Sequence, residues 1–153
     1  MQESIWQGER VRLRGVEPED WRHHFEWDQR TEDARHSYFI PFPNSMERAK
    51  RWAQEQAERD PQGDNVRLQI ETRDSIFVGT INTVATARRT GTFSYGRAIL
   101  PQHRRKGYAS EAIRLLVAYF FDELRYQKCT VQVYSFNTAS IQLHQRLGFQ
   151  QEG

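Results

Sequence analysis

Between an apolar stretch at 95–100 and an amphipathic one at 108–124, the chain reads Leu100-Pro101-Gln102-His103-Arg104-Arg105-Lys106-Gly107-Tyr108-Ala109. Arginine, arginine and lysine followed at once by glycine make an anion site when a strand feeds the turn and a helix leaves it. The first amide hydrogens of a helix have no internal partner, its dipole is positive at that end, and glycine lets a phosphate oxygen approach the backbone closely. The chemistry is that of a phosphate or diphosphate carried on something larger. The spacing excludes two common nucleotide loops. A P-loop lysine follows its second glycine, whereas Lys106 precedes Gly107; the dinucleotide fingerprint needs three glycines, and this turn has one. A basic surface turn without a ligand is the alternative for this short motif taken alone.

The elements that must position this turn are legible from hydropathy. Alternation predicts strands at 10–14, 66–72, 76–84 and 92–100, with Val11, Leu13, Leu68 and Ile70 inward. Gly79, inside the third, implies a bulge or a close backbone approach. Pro18, followed by Glu19 and Asp20, opens a helix on which Trp21 and Phe25 share a face. Residues 36–43 read as an aromatic, proline-punctuated loop. Asn44 with Glu47 is the capping box of a helix running to about residue 58. Ala112, Ile113, Leu116, Val117, Phe120 and Leu124 form the core stripe of a helix over 108–124. A strand at 130–134 follows, then a helix capped by Asn137 and ended at Gly148. The order β-α-α-β-β-β-α-β-α describes one mixed α/β domain over residues 1–153, with a mainly antiparallel sheet and flanking helices.

Composition narrows the function. The net charge is +2 and the basic residues are scattered among acids, which opposes nucleic-acid binding. A nucleic-acid patch at Arg104, Arg105 and Lys106, with Tyr95 and Tyr108 stacking, stays open as the minor reading. The single cysteine, Cys129, allows neither an internal disulfide nor a cysteine metal cluster. His23, His24, His36 and His103 lack metal-ligand spacing, so no metal is expected. No leader or long apolar span is visible, which predicts a cytoplasmic protein without a membrane partner.

Arg104-x-x-Gly107-x-Ala109 resembles the (Gln/Arg)-x-x-Gly-x-(Gly/Ala) coenzyme A loop of the GNAT N-acetyltransferases. Asn137-x-x-Ser140-x-x-Leu143-His144-x-Arg146-Leu147-Gly148-Phe149 is similar to a segment on that family's last helix, and the element order resembles the family's across nearly the whole chain. The stretches 8–14 and 38–43 look like the branch that acetylates ribosomal-protein N-termini. The resemblance implies acetyl transfer from acetyl-CoA to a primary amine by direct attack in a ternary complex. It implies that the N–H groups of Arg105, Lys106, Gly107, Tyr108 and Ala109 hold the diphosphate, with Arg104, Arg105 and Lys106 adding charge. It implies that the strand before the loop splays from 130–134 to admit the pantetheine arm, and that an N–H at Ile99 or Leu100 polarises the thioester carbonyl. Asn137 and Ser140 would border the arm; helix capping is the alternative role for Asn137.

Two departures from the family pattern bear on mechanism. His144 stands where the family often has a tyrosine, and is the candidate general acid for the departing thiolate, with packing as its alternative. Ser94 stands where some relatives, polyamine acetyltransferases among them, carry a glutamate, which weakens a polyamine reading; Glu71 stays a candidate base. An α-amine is neutral roughly 10–15% of the time at pH 7 and a lysine only ~0.04%, so an N-terminal acceptor needs less help from a base. Tyr38, Phe39, Phe42, Trp27 and Tyr134 are candidates for the acceptor pocket. The chain stops where the family continues into a closing hairpin, so further residues or a second chain are expected to cover the sheet edge, and a homodimer is open. Three functions remain: an acetyltransferase for a protein or peptide N-terminal α-amine, one for a small-molecule amine (polyamine, aminoglycoside or amino acid), and a non-catalytic CoA-binding module.

Overall fold

A computed structural model describes residues 4–37 and 40–153. Five strands, β1 (Val11–Arg14), β2 (Arg67–Thr72), β3 (Phe77–Ala87), β4 (Thr92–Ile99) and β5 (Lys128–Cys129), form one sheet in chain order. The first four are antiparallel, and β5 runs parallel to β4. Helices α1 (Trp21–Asp28), α2 (Thr31–Ser37) and α3 (Met46–Glu58) lie between β1 and β2; α4 (Tyr108–Ala118) connects β4 to β5, and α5 (Thr138–Arg146) follows. This is the mixed α/β architecture expected, with one helix more.

The strand alternation sorts side chains onto two faces. On one, Val11, Leu13, Ile70, Ile81, Phe93, Tyr95 and Ile99 close over Ala112, Ile113, Leu116 and Phe120, the predicted stripe of α4. Phe93 and Phe120 stack with centroids 4.3 Å apart. On the other, Glu71 accepts from Arg12 at 2.6 Å and from Arg14 at 2.8 Å, and Arg14 also forks onto Asp20. His24 of α1 meets Gln69, Trp52 and Phe77 there. Gly79 is the close approach its position implied: a Cβ would run into the carbonyl oxygen of Ala98.

Four local expectations change. Helix α2 occupies a stretch with no apolar stripe; Glu32 and Asp33 sit in its first turn, where the dipole favours them. The cap of α3 is Ser45 rather than Asn44, its hydroxyl accepting from Arg48 N–H at 3.1 Å. The predicted 108–124 helix is α-helical only to Ala118 and then widens into a π turn over Tyr119–Glu123, closed by Leu124 N–H on Tyr119 O at 3.1 Å. The strand at 130–134 is replaced by β5, which pairs only Thr92 with Lys128 and Phe93 with Cys129. Past the bond from Thr130 N–H to Phe93 O (2.9 Å), residues 131–134 lie outside the sheet, keeping the alternating burial of an extended chain. No described helix is long and apolar enough to cross a membrane.

Candidate active site

The basic turn leaves β4 through a short 3-10 turn, Pro101–His103, and enters α4 at Gly107. Arg105 and Gly107 both adopt positive φ, 61° and 83°. Such alternation turns successive amides toward one concavity. Among the described residues, the N–H groups of Arg105, Lys106, Gly107, Tyr108 and Ala109 have no hydrogen-bond acceptor, while Glu111 N–H already bonds Gly107 O. These free amides, with the exposed Arg105 and Lys106 side chains, fit a diphosphate. Arg104 is spent differently: its Nε donates to Ile99 O at 3.0 Å and its Nη2 to Asp33 at 3.3 Å, tying the turn to β4 and α2.

Two supports of this turn escaped the sequence reading. Glu111, in the first turn of α4, accepts from the N–H groups of Glu9 (2.6 Å), Arg10 (2.9 Å) and Val11 (2.9 Å). Gly8 makes room for that carboxylate, which a Cβ would strike. Arg10 then donates to Lys106 O at 3.3 Å. The signal was local: a glycine just before β1 and a glutamate four residues after Gly107. Nothing in the spacing said that they meet.

The gap beside β4 has a definite chemistry. Leu100 N–H donates to Val78 O at 2.9 Å, so Gly79 and Ile99 form a non-hydrogen-bonded pair. The ladder therefore spends the N–H and C=O groups of Ser94, Gly96 and Ala98 on β3. Those of Phe93, Tyr95, Arg97 and Ile99 point the other way. Phe93 O is taken by Thr130; beyond it the N–H groups of Arg97 and Ile99 face the gap with no acceptor among the described residues. Leu100, one of two expected donors to the thioester, is thus corrected: its hydrogen is held within the sheet. Ile99 keeps that role available.

The far wall of the gap is α5. Asn137 Oδ1 caps it, accepting from Ser140 N–H at 3.1 Å. Ser140 is buried, and its hydroxyl meets Arg97 Nη2 at 3.2 Å. His144 is also buried, 2.7 Å from the Tyr95 hydroxyl through Nε2 and 2.7 Å from Ser140 O through Nδ1. A carbonyl only accepts, so Nδ1 carries the hydrogen and Nε2 accepts from Tyr95. Burial pushes the His144 pKa down, the Ser140 bond opposes this, and the nearby Arg97 charge lowers it further. Both ring nitrogens are thus engaged within the protein, the arrangement that the packing alternative describes. Burial pushes the Tyr95 phenol well above its usual value.

The remaining candidates scatter. Tyr38 and Phe39 lie outside the described residues. Phe42 is 94% exposed, and Tyr134 stacks on Phe136 at 5.2 Å on the surface. Trp27 Nε1 donates to Asp33 at 3.2 Å and its ring meets Phe77 edge-on. Burial alone would push the Glu71 carboxyl up; Arg14 and Arg12 outweigh that and hold it below the usual carboxylate range, locked away from any base role. Among the described residues no three His, Cys, Asp or Glu side chains group to hold a metal.

The parallel pair β4–β5 parts beside a turn whose free amides suit an anion, and that is the class of site the geometry defines. Comparison gives the class its family. Residues 10–150 match the acetyltransferase (GNAT) domain. The SPbeta prophage-derived N-acetyltransferase YokL of Bacillus subtilis is 39% identical over 150 residues, covering 98% of this chain and 81% of that one. YoaA of the same organism, also an N-acetyltransferase, is 32% identical over 150 residues, 97% and 84% of the two chains. Among solved structures, the spermidine N-acetyltransferase of Vibrio cholerae with CoA and spermine superposes at a TM-score of 0.79, at 19% identity over 95% of this chain and 84% of that one. A Bacillus anthracis GNAT acetyltransferase does so at 0.77, with 22% identity and coverages of 96% and 84%. The chain belongs to the GNAT family, and it is an acetyl-CoA-dependent acetyltransferase.

Proposed function

We propose that the protein acetylates the N-terminal α-amine of a peptide or protein. The observation that carries this is where the carboxylates are. Glu71 and Asp20 are tied to arginines, Asp33 is hydrogen-bonded to Trp27 and Arg104, and β4 offers Ser94 rather than an acid. An acceptor already partly neutral at pH 7 suits such a site; a lysine or polyamine nitrogen needs a base to strip its proton.

In this reading the amides of residues 105–109 hold the diphosphate, and the arm runs between β4 and 131–134. Bound there, acetyl-CoA supplies an activated acyl carbon. The Ile99 N–H polarises its carbonyl oxygen, a preorganised donor acting where negative charge develops. Asn137 and Ser140 set the near end of α5 beside the arm, and His144 positions Tyr95. The acceptor's released proton goes to water.

The test is CoA release from acetyl-CoA with three acceptors at equal concentration: a peptide with a free N-terminus, the same peptide blocked there but containing lysine, and spermidine. The free N-terminus is expected to win by kcat/KM. A preference for spermidine would transfer the assignment to the second reading, which the spermine-bound Vibrio cholerae neighbour favours.

A further inference from the structure

Arg97 is out of place for a core strand. Its side chain shares a face with Tyr95 and Ile99 and reaches the first turn of α5, where its one hydrogen-bond partner among the described residues is the neutral Ser140 hydroxyl, 3.2 Å away. Among the described residues no carboxylate is paired with it. Three effects disfavour a cation there. Burial strips its hydration and pushes its pKa down against the opposing Tyr95 phenol, Arg104 repels it, and the α5 N-terminus presents the positive end of a dipole. The Arg97 and Ile99 amide hydrogens face the same gap. The guanidinium thus lies at the first turn of α5 with no carboxylate partner among the described residues, and the Arg97 and Ile99 amides have no acceptor among them either.

We propose that Arg97 stabilises the sulfur of coenzyme A as a thiolate, serving as the electrostatic counterpart of the leaving group. This rests on the arm lying between β4 and 131–134 as described above. The acceptor nitrogen forms the C–N bond with its lone pair, the C–S bond breaks with its electron pair left on sulfur, and the nitrogen's proton passes to water. The sulfur's negative charge then falls beside the guanidinium, and no proton donor is required at that moment. This accounts for a site in which the family's frequent tyrosine is replaced by a histidine already bonded on both nitrogens. It also gives the uncompensated charge of Arg97 its partner, one that exists only as the reaction completes.

The test is the ultraviolet thiolate band of CoA bound to the intact protein, followed against pH. The groups facing Arg97 are Tyr95 on its own strand, Arg104 from the turn, and Ser140 and His144 from α5; Cys129 of β5 couples to Tyr95. Burial pushes the Cys129 thiol up to about 12 and the Tyr95 phenol well above its usual value, so neither adds to the band near neutral pH. Bound CoA is expected to ionise about 1 pH unit or more below free CoA, as an adjacent cation dictates. Arg97→Gln should abolish that difference, and Arg97→Lys should keep part of it. Turnover of Arg97→Gln should fall roughly 10- to 100-fold. A wild-type bound thiol that titrates with free CoA, or above it, overturns the proposal without any variant having to fold. An equal shift in Arg97→Gln overturns it too. Calorimetry with CoA separates the two readings: binding without the thiol shift removes only Arg97, whereas no binding removes the cleft assignment itself.

Discussion

Ile99 and Leu100 are neighbours whose amides do opposite things, one facing the gap and one bonded to Val78. Replacing a backbone amide by an ester deletes one N–H and leaves the side chains intact. At Ile99 this is expected to lower kcat roughly 10²- to 10³-fold, the usual effect of losing an oxyanion donor, with the melting temperature unmoved. At Leu100 it should cost about 1 kcal/mol of stability and leave kcat near wild type. Steady-state kinetics beside thermal unfolding checks both. The turn glycine makes a second case. Gly107 holds φ 83°, while the nearest atoms to an added Cβ, on Arg10, stand at ordinary contact distance, 3.7 Å. Gly107→Ala is therefore disfavoured by backbone conformation rather than collision, at roughly 1 kcal/mol, and should weaken CoA binding by calorimetry as the amides turn away. At this scale the motif residues were readable, because glycine, basic residues and a helix start form a local pattern. Which amides stay free was not, because strand register decides it, and register is set by pairing across the sheet. His144 was legible as a residue and not as a role, since its partners Tyr95 and Ser140 come together only in three dimensions.

Among the elements, α4 is held to the start of β1 by one carboxylate taking three main-chain hydrogens. Glu111→Gln keeps the size but lets only part of that set survive, and should cost roughly 2 kcal/mol in urea unfolding, with a parallel loss of CoA affinity because Arg10 and Lys106 lose their anchor. The packing of α1 on the sheet carries a pH signature. His24 sits among Trp52, Phe77 and the fully buried Gln69, and burial pushes its pKa down to about 4, against the opposing Gln69 bond. A depressed histidine means that the unfolded chain takes up the proton first. His24 therefore withholds nothing above pH 6.5, and stability falls as pH drops from about 6.5 toward 4, by about 3 kcal/mol at most. Denaturant midpoints measured across that window should decline in the wild type and decline less steeply in His24→Gln, where His144 and His103, also pushed down by burial, still contribute. The strands and long helices were legible because period-two and period-3.6 hydropathy is strong in them. Helix α2 has no such stripe, and β5 was displaced because the alternation at 130–134 signals an extended chain whether or not a partner strand accompanies it.

At the scale of the whole molecule, the proposed site draws on three places in the chain: the end of β4 with its turn, the first turn of α4, and α5. Coenzyme A touching all three should stabilise the domain by linkage, about 2.7 kcal/mol at a hundredfold excess over Kd and a rise of about 5–10 °C in Tm. Thermal scans with CoA should show that rise in the wild type and a smaller one in Gly107→Ala. An open groove of about 1320 Å³ runs beside residues 127–135 and the end of α5, lined by Val117, Phe121, Val131 and Phe149 among others. It is the surface where the sequence reading expected cover for the sheet edge. The overall fold was legible because element order and two motifs agreed. The acceptor was not, because its pocket depends on side chains that no local spacing brings together.

The alternation along β4 has a remote origin. Ala87 is paired with Thr92, but Val84 with Ser94 and Gly79 with Ile99 follow a register shifted by one residue, so the hairpin over 88–91 and the bulge between Val84 and Ala87 together fix the odd-or-even phase in which this strand faces its neighbour. Were one residue added there and absorbed by sliding, Leu100 would surrender its hydrogen to the gap, Ile99 would bury its own, and Arg97 would swing to the opposite layer. On the proposed roles of Ile99 and Arg97, turnover would then be lost from the far end of the sheet, so a surface hairpin and its bulge matter to the reaction without touching either substrate.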